Sequence, residues 1–173
     1  RVPAMLEGIL TEAAAGGRRS LVFVPTVQAA GVVGRELARW GAGRGLRIAW
    51  LHAADPGREE KRMLFSEGGL DVLVTTTVLE RGLTLGPLLD VCVLFADCEA
   101  VFDAATLIQM AGRAGRLASD PAGRVYFLAE RIGAAMKAAH AAIVATNDEA
   151  AREGFLHDNK TGEGKETGIV RRD

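Results

Sequence analysis

Gln109-Met110-Ala111-Gly112-Arg113-Ala114-Gly115-Arg116 is the most chemically specific segment of the chain. Arg113 and Arg116 stand three apart, each directly after a glycine. On a helix ending here, positions i and i+3 share a face. The small residues at 111, 112, 114 and 115 let a second surface approach and leave both guanidiniums unobstructed. Two convergent guanidinium forks can hold a polyanion such as a triphosphate, because each fork matches phosphate geometry. A solvated helix end, with Arg favoured by the macrodipole, would also put cations here. It gives no reason for the small residues.

Such a pair needs rigid elements to aim it. Five short apolar runs meet the length and β-branched content of buried strands: Leu21 to Val24, Arg47 to Leu51, Asp71 to Thr75, Val91 to Phe95 and Arg124 to Leu128. Helical patterns lie around and between them, over Val2 to Ala15, Val27 to Trp40, Arg58 to Ser66, Asp103 to Ala114 and Arg131 to Ala145. Asp103 stands where an N-cap belongs. Strand–helix alternation of this kind predicts an α/β fold, a parallel sheet with helices on both faces and right-handed crossovers. Strand order has no local signal. Residues 1–156 read as a single domain and residues 157–173 as a polar tail.

In an open parallel sheet, ligands bind outside the carboxyl ends of the strands. The residues following the runs are therefore the candidates: Thr26, His52 and Asp55, Thr75-Thr76-Thr77, Glu80-Arg81-Gly82, and Asp97-Cys98-Glu99. Hydroxyls and amides in such positions can hold phosphates without reading bases. His52 reads as a structural post-strand residue before it reads as a ligand.

Composition narrows the function classes. The 173 residues are 49% hydrophobic and 25% charged, which excludes a disordered or collagen-like chain. The net charge of −1 excludes a polycation that binds nucleic acid by bulk charge, though not a local basic face. Aromatic residues make up only 5%, so base stacking is not expected to dominate binding. Cys92 and Cys98 match no zinc spacing and read as small buried hydrophobes in a reducing compartment. No run approaches the ~18 apolar residues of a membrane span. The chain opens Arg1-Val2-Pro3, with neither an initiator Met nor a signal peptide, and is expected to be a fragment of a longer protein.

The arginine segment resembles motif VI of superfamily 2 helicases, Gln-x-x-Gly-Arg-x-Gly-Arg. Val74 to Thr84 resembles their motif V and Leu21 to Thr26 their motif IV. His52, Arg58, Arg62, Phe65 and Gly68 fit the segment between those two. The ordered set spans residues 20–128. A closer resemblance, carried by Thr76 to Thr84 and by Ala96 through Gln109, is to the ComFA-type competence DNA-uptake helicases, with the PriA type next. It implies a second RecA-like lobe of an ATP-dependent DNA translocase. Arg116 would be the arginine finger, with Arg113 sharing that role. Gln109, Gly82 and Thr84 would face nucleotide, and Thr26 and Thr76 single-stranded DNA. Thr84 departs from the Asp common in the family and offers a hydroxyl in its place. The implied cofactors are ATP and Mg²⁺. The implied partners are the first RecA-like lobe and other DNA-uptake proteins, in the cytoplasm and through them at the inner face of the membrane.

No Gly-x4-Gly-Lys-Ser/Thr occurs in the chain. Gly164-Lys165 is followed by Glu166 and follows no strand pattern. The phosphate-cradling loop is thus expected in another lobe, and this chain alone is expected to hydrolyse no ATP. Competing expectations are a replication-restart motor of the PriA type and a non-catalytic nucleic-acid or protein interaction domain that keeps only the fold. Arg113 and Arg116, both intact, argue against the latter.

Overall fold

The computed structural model describes residues 3–77, 88–114, 123–152 and 167–171. Its elements are α1 (Ala4–Ala15), β1 (Arg19–Phe23), α2 (Val27–Ala42), β2 (Ile48–Trp50), α3 (Arg58–Ser66), β3 (Val72–Thr75), β4 (Leu89–Leu94), α4 (Ala104–Ala111), β5 (Val125–Ala129), α5 (Ala134–Arg152) and β6 (Thr167–Arg171). The six strands form one sheet in the order β2-β3-β1-β4-β5-β6, every neighbouring pair parallel. The fold is RecA-like α/β, as expected. Within the segment read as a polar tail, Thr167–Arg171 pairs along β5 from Val125↔Thr167 to Ala129↔Arg171. Its Ile169-Val170 pair suits a strand, but five residues are too few to stand out without the neighbour that orders them.

Chain direction explains the layers. The step from β1 to β2 runs one way across the sheet, and those from β2 to β3, β4 to β5 and β5 to β6 run the other way. With right-handed crossovers, α2 must lie on one face and α3, α4 and α5 on the opposite face. The two cores divide in this way. Val22, Val24, Val72, Val74, Cys92 and Leu94 pack with Leu6 and Leu10 of α1 and Ala30 and Leu37 of α2. Leu21, Phe23, Leu73, Val91, Val93 and Phe127 pack with Phe65, Leu107, Met110, Met136 and Ala139 from α3, α4 and α5.

Helix ends follow local chemistry. Thr26 caps α2, its hydroxyl accepting from Ala29 N at 3.0 Å. Asp103 caps α4, accepting from Thr106 N at 2.7 Å. Arg19 caps α3 from outside, donating to the carbonyl oxygens of Phe65 and Ser66 with its guanidinium 5.2 Å from the Phe65 ring centroid. Cations belong at that end of a helix dipole.

The amino edge of the sheet is ionic. Asp90, on β4 and 1% exposed, accepts from Arg18 Nε at 2.7 Å and from Arg124 N at 3.0 Å. Burial raises the Asp90 carboxyl above its usual range, against the pull of these donors. Arg124 also pairs with Glu12 of α1. Arg47 grips Asp71 with three donors, its backbone N at 2.7 Å, Nε at 3.1 Å and NH2 at 2.8 Å, and holds that carboxyl below its usual range. A cavity of about 360 Å³ opens here between Arg18, Arg19, Arg47, Ser66, Asp71 and Leu88. Its three arginines are engaged by carboxylates and helix-end carbonyls.

Two glycines set the approach of α2 to β2. A Cβ on Gly34 would stand 2.4 Å from Trp50 Cβ, and one on Gly41 would stand 2.6 Å from Ile48 Cδ1. Gly8 in α1 has nothing within 4 Å of its Cβ position. In urea unfolding, Gly34→Ala is therefore expected to destabilise the chain by about 1–3 kcal/mol through overpacking. Gly8→Ala is expected to stabilise it by about 0.5–1 kcal/mol through helix propensity. Equal responses at the two positions would contradict this packing.

Candidate nucleotide and nucleic-acid interface

Because all strands run the same way, the segments after β1, β2, β3 and β4 emerge at one edge. β1 leads into a helix on one face, while β2 and β4 lead into helices on the other. That makes the carboxyl end of β1 a switch point, where such sheets form a binding crevice. Thr26 stands there, exposed, with φ −135° and ψ 158°. A hydroxyl has one donor and two acceptor sites. The bond from Ala29 N takes an acceptor site, so the Thr26 O–H remains able to donate outward.

After β2 the chain is latched. Asp55 accepts from Gly57 N at 2.9 Å and from Lys61 Nζ at 2.6 Å, and Lys61 also donates to Trp50 O at 3.0 Å. The Lys61 bond holds the Asp55 carboxyl below its usual range against the effect of burial. His52, half-buried, has its Nδ1 enclosed without a hydrogen-bond partner. After β3, Thr76 is only 5% exposed, and its carbonyl accepts from Thr75 Oγ1 at 3.3 Å. The structure thus brings Thr26 and Thr76 to one edge but turns the Thr76 side chain inward. After β4, Phe95 takes φ +61°, and the turn it makes puts Asp97 beside β5, where Oδ2 accepts from Arg131 N at 3.3 Å. Cys98 is half-buried in this turn, whereas Cys92 is fully buried in β4 with its thiol pushed up by desolvation.

The arginine segment follows α4. Gln109 is exposed on that helix. α4 ends at Ala111 with Gly112 as its C-cap, one residue before Arg113. Arg113 N bonds Met110 O at 3.0 Å and Ala114 N bonds Ala111 O at 3.1 Å, so the chain turns here rather than continuing as helix. Ala111 and Ala114 are buried and anchor the turn, while Arg113 is half-buried. The helix expected to run through Ala114 thus ends at Ala111, and residues 112–114 follow it as a turn. Arg116, Gly82 and Thr84 lie outside the described residues.

Sequence reasoning named Asp55 but not its Lys61 latch, and Asp97 but not its bond to the β5 turn. It missed Asp90, although an aspartate inside the apolar run 88–95 was a signal. No group of three or more His, Cys, Asp or Glu side chains converges among the described residues. The donors present suit phosphate oxygens rather than Mg²⁺. No described helix is long and apolar enough to cross a membrane.

A parallel sheet in this order, with the sequence Gly112-Arg113-Ala114-Gly115-Arg116 following α4, defines a RecA-like lobe of the helicase kind. The helicase conserved C-terminal domain family matches residues 2–118, and the chain belongs to that family. Competence protein ComFA of Bacillus subtilis (strain 168) is 41% identical over 100 residues, 58% of this chain and 20% of that protein. UvrABC system protein B of Thermus thermophilus is 35% identical over 138 residues, 78% of this chain and 20% of that protein. The chain spans about a fifth of the length of these curated relatives. Among solved structures, the C-terminal domain of S. cerevisiae Dbp5 bound to Gle1 and IP6 shares the fold, with a TM-score of 0.52 at 24% identity over 90% of this chain and 75% of that one.

The Asp55 latch has a pH signature. A carboxyl held below its usual range contributes stability above its ordinary pKa and loses it as pH falls through the depressed value. The gap in unfolding midpoint between the wild type and Asp55→Asn should be open at pH 7 and closed by about pH 2. A gap independent of pH would assign the loss to packing.

Proposed function

We propose that the chain is the second motor lobe of an ATP-dependent superfamily 2 DNA translocase, and that it serves single-stranded DNA uptake in natural transformation. The observation that carries the motor reading is the Gln109-x-x-Gly112-Arg113-x-Gly115-Arg116 sequence, which begins in the last turn of α4 on a helicase-family lobe. The similarity to ComFA supports the uptake reading. In this reading Arg116 reaches the γ-phosphate of ATP held by the first lobe, and Arg113 shares that contact. Gln109, Gly82 and Thr84 border the nucleotide. ATP brings its Mg²⁺ with it, held by the first lobe. Thr26 donates its free O–H to the DNA backbone, and Thr76, being enclosed, acts through its main chain.

Similarity to UvrABC system protein B over a larger share of the chain favours a second reading, the corresponding lobe of a protein of that kind. Both readings assign the same roles to the arginines. A four-Cys module upstream in the parent protein would support uptake.

In the full-length parent, Arg116→Ala should lower kcat by about 10³–10⁵ while KM changes much less. Arg116→Lys should not rescue, because a point charge does not reproduce the fork. Full turnover in the Lys variant would rule out a finger at this position. Thr26→Ala should weaken DNA-stimulated ATPase more than basal ATPase, and Thr26→Ser, which keeps the cap and the O–H, should restore it. Equal loss of both rates would move Thr26 into the ATP site or the core.

A further inference from the structure

We propose that the outer face of α2 is a second DNA surface, on which Arg35, Arg39 and Arg44 take the backbone phosphates of a duplex. The inference rests on the reading of the parent as a DNA translocase, and it places the duplex away from the edge that carries the single strand. Residues 35–46 hold three arginines against one carboxylate, Glu36, in a chain whose net charge is −1. All three arginines are exposed. α2 runs back against the parallel strands it connects, so the row starts about 13 Å along the helix from Thr26 and leads away from the carboxyl edge.

The fold does not consume these charges. Arg35, whose NH1 lies 3.4 Å from the place a Gly31 Cβ would take, has no carboxylate partner among the described residues. Arg35 and Arg39 stand four apart, where like charges destabilise a helix. Glu36 relieves only Arg39, accepting from NH1 at 3.0 Å. That pair is exposed and therefore weak, so a phosphate can compete for Arg39. Arg44 is held in place without being neutralised: NH1 donates to Trp40 O at 2.9 Å, and the guanidinium lies 4.8 Å from the Trp40 ring centroid. A side chain already ordered loses less entropy on binding. Arg47, next along the chain, is tied to Asp71 and Gly68 and adds little free charge.

The surroundings select a phosphate backbone. A protein partner needs an apolar centre, and the large hydrophobics exposed on α2, Val27 and Val32, precede the row rather than lie within it. A membrane surface needs an apolar face to insert, and that of α2 is packed on the sheet through Ala30 and Leu37. Single strands are held largely by bases stacked on aromatic rings. The one ring in the row, Trp40, is half-buried and already covered by Arg44. What remains is cations in line along a rigid helix, which suits a rigid line of phosphates and reads no base.

The test uses the full-length parent protein and two fluorescent DNAs, a single strand and the same strand annealed over half its length. The wild type should bind the half-duplex more tightly. In Arg35→Gln/Arg44→Gln that advantage should be lost, and the slope of log affinity for the half-duplex against log salt should be shallower by about two. Arg35→Lys/Arg44→Lys, which keeps both charges, should retain the wild-type slope. Glu36→Gln, which releases Arg39, should tighten half-duplex binding, a gain that no loss of folding produces. Equal wild-type affinity for the two DNAs, or a Gln double variant weakened equally on both, would overturn the duplex surface. Half-duplex binding indifferent to all these variants would reduce the row to a solvated helix face. Binding to anionic lipid vesicles that the Gln double variant loses, with half-duplex binding kept, would assign the row to a membrane instead. Wild-type protein that binds neither DNA would overturn the translocase reading itself.

Discussion

Strand register in this sheet depends on the ionic contacts at its amino edge. β3 and β4 are buried along their whole length, and β1 beyond Arg19. A one-residue slip in a half-exposed strand would turn its apolar side chains to water. In β1, β3 and β4 it would only exchange one apolar face for the other, so hydrophobic pattern alone cannot fix their alignment. Asp90 can. It is buried, and it bonds Arg18 before β1 and Arg124 before β5, so the three central strands must start at matched heights. Arg47 and Asp71 do the same for β2 and β3. Breaking one partner would leave a buried or half-buried charge without its counter-charge, which is strongly destabilising for buried pairs. The heights at which Thr26, His52 and Thr76 emerge at the far edge are set from this end.

Much of the fold was legible because its signals are local. Arg58–Ser66 forms a helix with the bounds that charge and the Gly68-Gly69 stop imply, and Asp103 is the cap that its position suggests. The strands were visible as apolar runs. Their order was not, because it is decided by which faces and edges meet in three dimensions. Asp90 escaped because the fourth strand begins at Leu89, two residues ahead of its β-branched centre. The tail strand escaped because Thr167–Arg171 is ordered by β5 and not by itself.

The site was legible to a different degree. Parallel topology alone carries the inference that post-strand residues share an edge, and Thr26 fits it both in place and in exposure. It says nothing about rotamers, and Thr76 turns inward. The reading of 103–114 as one helix differs at its end, where α4 stops at Ala111 and Arg113 N and Ala114 N close turns on Met110 O and Ala111 O.

The two cysteines differ in a way that has practical use. Cys92 is sealed in the middle of β4, and desolvation keeps its thiol protonated, so it will resist alkylating reagents while the sheet is intact. Cys98 lies half-buried in the turn between Phe95 and the Asp97 bond to Arg131. The folded lobe thus offers maleimide dyes one native attachment point, on the edge where Thr26 and His52 emerge. Later exposure of the second thiol would time the opening of the sheet.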